Sequence, residues 1–249
     1  MNLPVEVVDA ARRDRCVLVV GARASAEAAE EAGQPYPSEK KLARALGGKG
    51  AVAEACADLE RRQGRDALFA ALRAQVGLEG VSPGAFHRAA VRRFPRIFTS
   101  AWDDLLERAA VDAGLEPLVA QRGEPVPDAQ PGRCVIYRLR GGFSAPDALV
   151  LTHADARARP MSGLRRDFRR FLHKEVVFFV GYRPDEQDFE QTFEDFSEGW
   201  GGELPRSHLA VAQGRISDYH WQKWVWRGLL LFTADPAEAL SELERQIHD

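Results

Sequence analysis

The chain has 249 residues, 45% of them hydrophobic, and a formal net charge of -3, enough apolar content to bury a sizeable core in one α/β domain spanning 1–249. That charge argues against a dedicated nucleic-acid binder. No apolar run approaches the ~20 residues that cross a bilayer and MNLPVEVVDAARRD lacks the order of a signal peptide, so a cytoplasmic location is expected. Leu3 to Arg13 places Val5, Val8 and Ala11 at helical spacing. Cys16 to Val20 is an unbroken apolar run, the pattern of a parallel strand covered on both faces. It ends at Gly21, which lets the chain turn at the carboxyl edge, where open α/β sheets hold their ligands. Glu27 to Gln34 is polar, Pro35-Tyr36-Pro37 punctuates it, and Ser38 reads as the N-cap of a helix EKKLARAL closed by Gly47 and Gly48. A proline-marked loop here is either a mobile cover over a ligand cleft or an ordinary surface loop.

Residues 51–95 carry no strong strand signal. Ala53, Cys56, Leu59, Leu68, Phe69 and Leu72 recur at helical spacing between glycines, which predicts a small helical insertion. Arg96 to Thr99 reads as a second strand leading into a helix with Trp102, Leu105, Leu106, Ala109, Ala110 and Ala113 on one face. Ser100 is the expected cap, with Asp103 three residues on, and Gly114 ends the helix. EPLVA predicts a short strand, and CVIYRLR (Cys134 to Arg140) another, broken by Gly141-Gly142 and followed by the apolar run Ala148 to Thr152. The basic segment ARARPMSGLRRDFRRFLHKE has the pattern of a helix with a solvated charged face. Glu175 to Gly181 is the clearest buried strand, and YRPDEQDFEQTFEDF a helix with an acidic start. Ser207 to Gln213 and GLLLFTAD predict strands, while Asp218 to Trp226 and PAEALSELERQI predict helices, the last with Pro236 in its first turn. Strands alternating with helices imply a Rossmann-like, doubly wound, mostly parallel sheet.

Cys16, Cys56 and Cys134 are too widely spaced for a CxxC pair, which removes a zinc ribbon and makes buried thiols the expectation. The six histidines show no metal-ligand spacing, and neither GxSxG nor a Walker turn is present.

Taken in order, VLVVGARAS, RIFTSAWDDLLERA, VIYRLRGG with the nearby LVLT, and VVFFVGYRPDEQDF resemble the sirtuin-like NAD-hydrolase family, especially its zinc-free bacterial branch linked to antiphage defence. In that branch the corresponding pieces read roughly as a G-A-G-x-S turn, a T-T-N-x-D strand end, a K-L-H-G strand end and a G-Y-x-x-x-D turn. The resemblance runs from Cys16 to about Phe189. It implies NAD or ADP-ribose as ligand, without zinc, lying across Gly21, Ala22, Ser25, Thr99, Ser100 and the Gly181-Tyr182 turn. Backbone amides at helix starts suit a pyrophosphate, and small residues let it approach. In active relatives the bond between nicotinamide and ribose is cleaved, and in the defence branch this depletes cellular NAD.

Three positions depart from the family pattern. Ala101 stands where an asparagine would order the nicotinamide ribose and the attacking water, and its methyl group neither donates nor accepts. Arg140 stands where a histidine would meet the ribose hydroxyls, and a guanidinium is no ordinary base. Arg23 replaces the third glycine, adding bulk and charge. Together they argue against hydrolysis by the usual route, and Arg23 and Arg140 become candidate anion ligands beside the phosphates. Two explanations fit: a natural pseudoenzyme, or an active NAD hydrolase in which asparagine was deliberately replaced by Ala101. A third reading is a non-enzymatic interaction module, a homo-oligomer or a partner in a defence assembly, using Trp221, Trp224 and Trp226 as interface residues; their alternative place is the core.

Overall fold

The computed structural model describes residues 2–160, 176–197 and 208–248. Among the described residues seven strands form one sheet: β1 (Cys16–Val20), β2 (Arg96–Thr99), β3 (Glu116–Gln121), β4 (Arg133–Arg138), β5 (Val176–Tyr182), β6 (His208–Ala212) and β7 (Leu229–Thr233). Their order is β3-β4-β2-β1-β5-β6-β7 and every pairing is parallel, so the expected mostly parallel sheet is parallel throughout its described strands. The helices are α1 (Val5–Arg12), α2 (Ala26–Glu31), α3 (Glu39–Ala45), α4 (Val52–Gln63), α5 (Arg65–Val76), α6 (Ala85–Arg93), α7 (Leu105–Asp112), α8 (His153–Ala158), α9 (Gln187–Ser197), α10 (Asp218–Trp226) and α11 (Pro236–His248).

Alternate residues of each inner strand feed two cores, as the period of two requires. Leu18, Val20, Ile97, Ile136, Phe178 and Val180 face α1, α6, α7 and α11, where Phe86, Phe94, Leu106 and Leu240 cover them. Val17, Val19, Phe98, Tyr137, Val177 and Phe179 face the other way, against Phe189, Phe193 and Phe196 of α9 and Trp224 of α10. The Trp224 ring packs at a tilt against Phe189, 4.6 Å between centroids, and its indole N–H donates to the Pro184 carbonyl at 3.0 Å. The tryptophans therefore divide: Trp224 is core, while Trp226 is 81% exposed and Trp221 40%.

The segment 51–95 divides too. α4 and α5 pack with α3 and with Leu149 and Leu151 around a small core of their own, whereas Phe86, Ala90 and Val91 of α6 belong to the main sheet core. The stretch read as one insertion is thus a helical module over 52–76 plus a layer helix, because α6 carries its apolar stripe toward β1 and β2. Two local expectations also change. Strand β4 ends at Arg138, so Arg140 lies beyond it. The apolar run 148–152 joins the small module: Leu149 and Leu151 are buried in its core, and Thr152 caps α8 by accepting from the Asp155 amide at 3.1 Å. Ser100 does not cap α7; the Leu105 amide donates to Asp103 Oδ1 at 3.1 Å, and the Ser100 hydroxyl is used elsewhere. Ser38 does cap α3. Of the basic segment 156–175 expected to carry a helix, residues 156–158 end α8 and 161–175 lie outside the described residues.

Candidate functional site

The carboxyl ends of β1, β2, β4 and β5 are tied side by side by backbone hydrogen bonds: Gly21 N–H to Val180 O at 2.8 Å, Ser100 N–H to Val20 O at 3.0 Å and Leu139 N–H to Thr99 O at 2.8 Å. β1 lies between β2 and β5, both of which follow it in sequence, so connections leave in opposite directions and a crevice opens above it. An open cleft of about 1100 Å³, its mouth included, fills that place. One wall is apolar, from Leu42 and Val52 of the small module with Tyr36, Trp102 and Leu151; the other is charged, with Arg23, Arg122, Arg140, Arg183, Glu186 and Asp188.

Glycines set the junction of β1 and β5. A Cβ on Gly21 would collide with the Gly181 carbonyl and come within 2.6 Å of the Tyr182 ring. Gly181 has φ +76°, sits in a β-bulge, and would place a Cβ 2.6 Å from that of Ala24. Tyr182 is consequently pressed down over Gly21.

The floor is polar. Asp188 Oδ2 accepts from the Ser100 hydroxyl at 2.6 Å and Oδ1 from Arg140 Nε at 3.2 Å, and the Tyr182 hydroxyl lies 3.3 Å from that of Ser100. Burial pushes the Tyr182 hydroxyl up, out of reach as an acid or base near neutrality. Burial acts to lower the pKa of Arg140, but Asp188 and Asp195 outweigh it and the net shift is upward, so this guanidinium stays cationic. Behind it, Arg122 and Asp195 form a buried ion pair at 3.2 Å. Arg23 differs from these: its Nε and Nη1 are buried and have no hydrogen-bond partner among the described residues.

Of the residues singled out in the sequence, Ala22, Arg23, Ser100, Arg140, Gly181 and Tyr182 line the cleft. Gly21, Ser25, Thr99 and Ala101 lie behind its surface. Gly21 is under Tyr182. Thr99 is fully buried and accepts the Ala101 amide at 3.0 Å. Ala101 is 4% exposed, and its carbonyl accepts from Arg138 Nη1 at 2.8 Å. Ser25 turns inward: its hydroxyl donates to Asp103 Oδ2 at 2.9 Å and lies 3.3 Å from His87 Nε2, while His87 Nδ1 accepts the Gly84 amide at 3.3 Å. Burial, reinforced by Arg108 and Arg88, lowers His87 to about 3, so it is neutral. Asp103 is raised by burial, opposed by Arg138 and by the groups that donate to it.

Sequence reasoning missed Trp102, Arg122 and Asp188 as lining residues and did not assign Glu39. Glu39 had a signal, its place on the proline-marked segment; Asp188 stood in an acidic helix start that the helix dipole already accounted for. Glu39 Oε1 and Oε2 accept the backbone amides of Asp188 and Gln187 at 2.8 and 3.0 Å, spanning the cleft mouth. Burial first, then Asp188, raise its pKa to about 7, against the pull of those two amides.

An all-parallel, doubly wound sheet with a crevice at its carboxyl rim and a helical module beside it defines a Rossmann-like α/β protein. The SIR2-like domain profile matches residues 95–228, more than half of the chain, which therefore belongs to the SIR2-like family. Among solved structures it is similar to a Sir2 homologue in complex with NAD, at 12% identity and a TM-score of 0.60, over 99% of this chain and 94% of that one. It is also similar to a mutant Sir2 homologue in complex with ADP-ribose, at 13% identity and a TM-score of 0.60, over 99% and 97% of the two chains. No curated protein sequence matches significantly. Cys16, Cys56 and Cys134 are buried thiols outside any disulfide, and no group of three or more His, Cys, Asp or Glu is placed to hold a metal among the described residues. No helix among them is long and apolar enough to cross a membrane.

Proposed function

We propose that this chain is a sirtuin-like domain of a bacterial defence or signalling system that takes NAD or an ADP-ribose-type nucleotide into the cleft, acts in the cytoplasm without zinc, and is impaired in hydrolysis. The observation that carries the reading is Arg23. Two buried N–H groups without acceptors are costly, and a phosphate laid along the β1 rim would satisfy both through charge-assisted bonds. The cleft fits a nucleotide in character, with small residues at Ala22 and Gly181 for close approach and an apolar wall with Tyr36 and Trp102 for planar rings.

Impairment rests on two side chains. Ala101 offers only backbone groups, both already engaged with Thr99 and Arg138. Arg140 is tied to Asp188 and remains charged, so it accepts no proton. A positioned acid or base typically contributes ~10²- to 10⁴-fold in rate, so nicotinamide release should be near background. Calorimetry with NAD, NADP and ADP-ribose tests binding: affinity for at least one is expected, weakened about tenfold or more by Arg23→Ala, and failure of all three at millimolar concentration removes the reading. Ala101→Asn restoring nicotinamide release would favour instead an NAD hydrolase that had lost its asparagine.

An interaction-module reading is favoured by one observation. Tyr219, Trp221, Val225 and Trp226 of α10 are exposed large hydrophobic residues, with Trp226 81% and Tyr219 70% accessible. It predicts association with a copy or a partner, and a concentration-independent monomer in light scattering would count against self-association.

A further inference from the structure

Residues 35–46 run from the proline-marked loop through α3, and Tyr36, Pro37, Glu39 and Leu42 form the outer wall of the cleft. Leu42 and Ala43 root the far end of this segment in the small core. Its near end meets the opposite wall through Glu39, whose two carboxylate oxygens each take one backbone N–H from the first two residues of α9. These residues are 148 and 149 positions away in sequence, and they stand on the wall built from the β5–α9 turn. The contact satisfies two of the free amides of a helix's first turn, as an N-cap would, but the accepting carboxyl group comes from a distant segment. The side chain of Asp188, in the same first turn, is directed instead to Ser100 and Arg140.

We propose that Glu39 is the latch of a lid: its carboxyl group clasps residues 35–46 to the start of α9 across the mouth of the cleft. The role as a gate rests on reading the cleft as the ligand site, whereas the latch is a property of the free protein and can be tested without any nucleotide. Because Glu39 is driven into partial burial beside Asp188 and Glu186, its charged form is disfavoured in the closed state. The other charged groups around it are Lys40 and Lys41 on its own helix, which point to solvent, Arg23 beside Glu186, Arg183 on the same wall, and Arg140, which is committed to Asp188. The sign follows: a carboxyl with a raised pKa when closed binds its proton more tightly there than in the open, solvated state. Closure is therefore favoured as pH falls through about 7 and weakened as pH rises above it.

Hydrogen exchange on the ligand-free chain tests this. Glu39→Ala should lower protection of residues 37–46 and of the Gln187 and Asp188 amides by about tenfold, the scale of one to two lost hydrogen bonds, while β1 and β5 are unchanged. In the wild type, protection corrected for the intrinsic rate should fall about tenfold between about pH 6 and pH 8, as expected for a group titrating near 7. Glu39→Gln, which cannot ionise and keeps one of the two acceptors, should show protection between those of the wild type and Glu39→Ala and no response to pH over the same range. Unchanged protection in Glu39→Ala overturns the latch, and a wild-type response that does not move with pH, or a Gln variant that still titrates, overturns its coupling to protons. If exchange behaves as stated while calorimetry shows no nucleotide, the lid stands and the ligand reading alone fails.

Discussion

Where β1 meets β5 the chain packs backbone against backbone, with Gly21 under Tyr182 and Gly181 against Ala24. Where β2 meets β4 it packs charge against charge, with Arg138 buried on Glu107 and on the Ala101 carbonyl, and Arg140 held by Asp188. The two sides of one cleft thus depend on different terms. The first needs the absence of atoms and is insensitive to salt and pH; the second needs each ion to keep its partner, because a buried charge left alone is far more costly than the pair was favourable.

Removing one ion should break the contrast most severely. Arg138→Met leaves Glu107 facing a nearly closed interior, since the arginine side chain is 1% and the glutamate 14% exposed. Urea unfolding should show a loss of about 3–5 kcal/mol, much of it recovered when Glu107→Leu is added. Gly181→Ala comes next: a left-handed backbone costs a side chain about 1–2 kcal/mol and the collision with Ala24 a similar amount, about 3 kcal/mol in all. That loss should be the same at low and high salt, unlike an electrostatic one.

The smallest of the three effects sharpens the difference by pH. His87 is held neutral at about 3 in the fold, whereas the unfolded chain binds a proton near the ordinary histidine value. A lowered histidine gives stability that is complete above the unfolded pKa and is lost as pH falls through it. Asp103, raised by burial, works in the opposite direction, so the comparison with His87→Gln isolates the histidine. Between about pH 6 and pH 4.5 the wild type should lose about 2 kcal/mol more than the variant. Equal losses would mean that His87 takes up its proton inside the fold.

The glycine side was readable in the sequence and the charged side was not, for a physical reason. An apolar run that ends at Gly21, and another that ends at Gly181, are local signals, as are the Ser38 cap and the alternation of strands and helices. They suffice for a parallel, doubly wound sheet with a ligand-facing rim. Partners separated by tens of residues leave no local trace. Asp188 with Arg140, Arg122 with Asp195, Glu39 with the α9 amides and Ser25 with Asp103 each join distant segments, and every one redirects a residue's role. Ser25 shows this most clearly: read as a cleft residue, it is spent inside on a histidine and an aspartate. Arg138 was passed over inside a strand, although an arginine within an apolar run must meet a counter-ion when the strand is buried.

The middle of the sheet also fixes when this protein can assemble. Cys16 to Val20 lie against Val176 to Val180, about 160 residues later in the chain. At ribosomal speeds of about 5–20 residues per second, the first strand waits roughly ten to thirty seconds for its neighbour to be made. During that interval an apolar ribbon is without one of its two flanking partners, so the yield of native protein should depend on chaperones that shield the nascent amino-terminal segment.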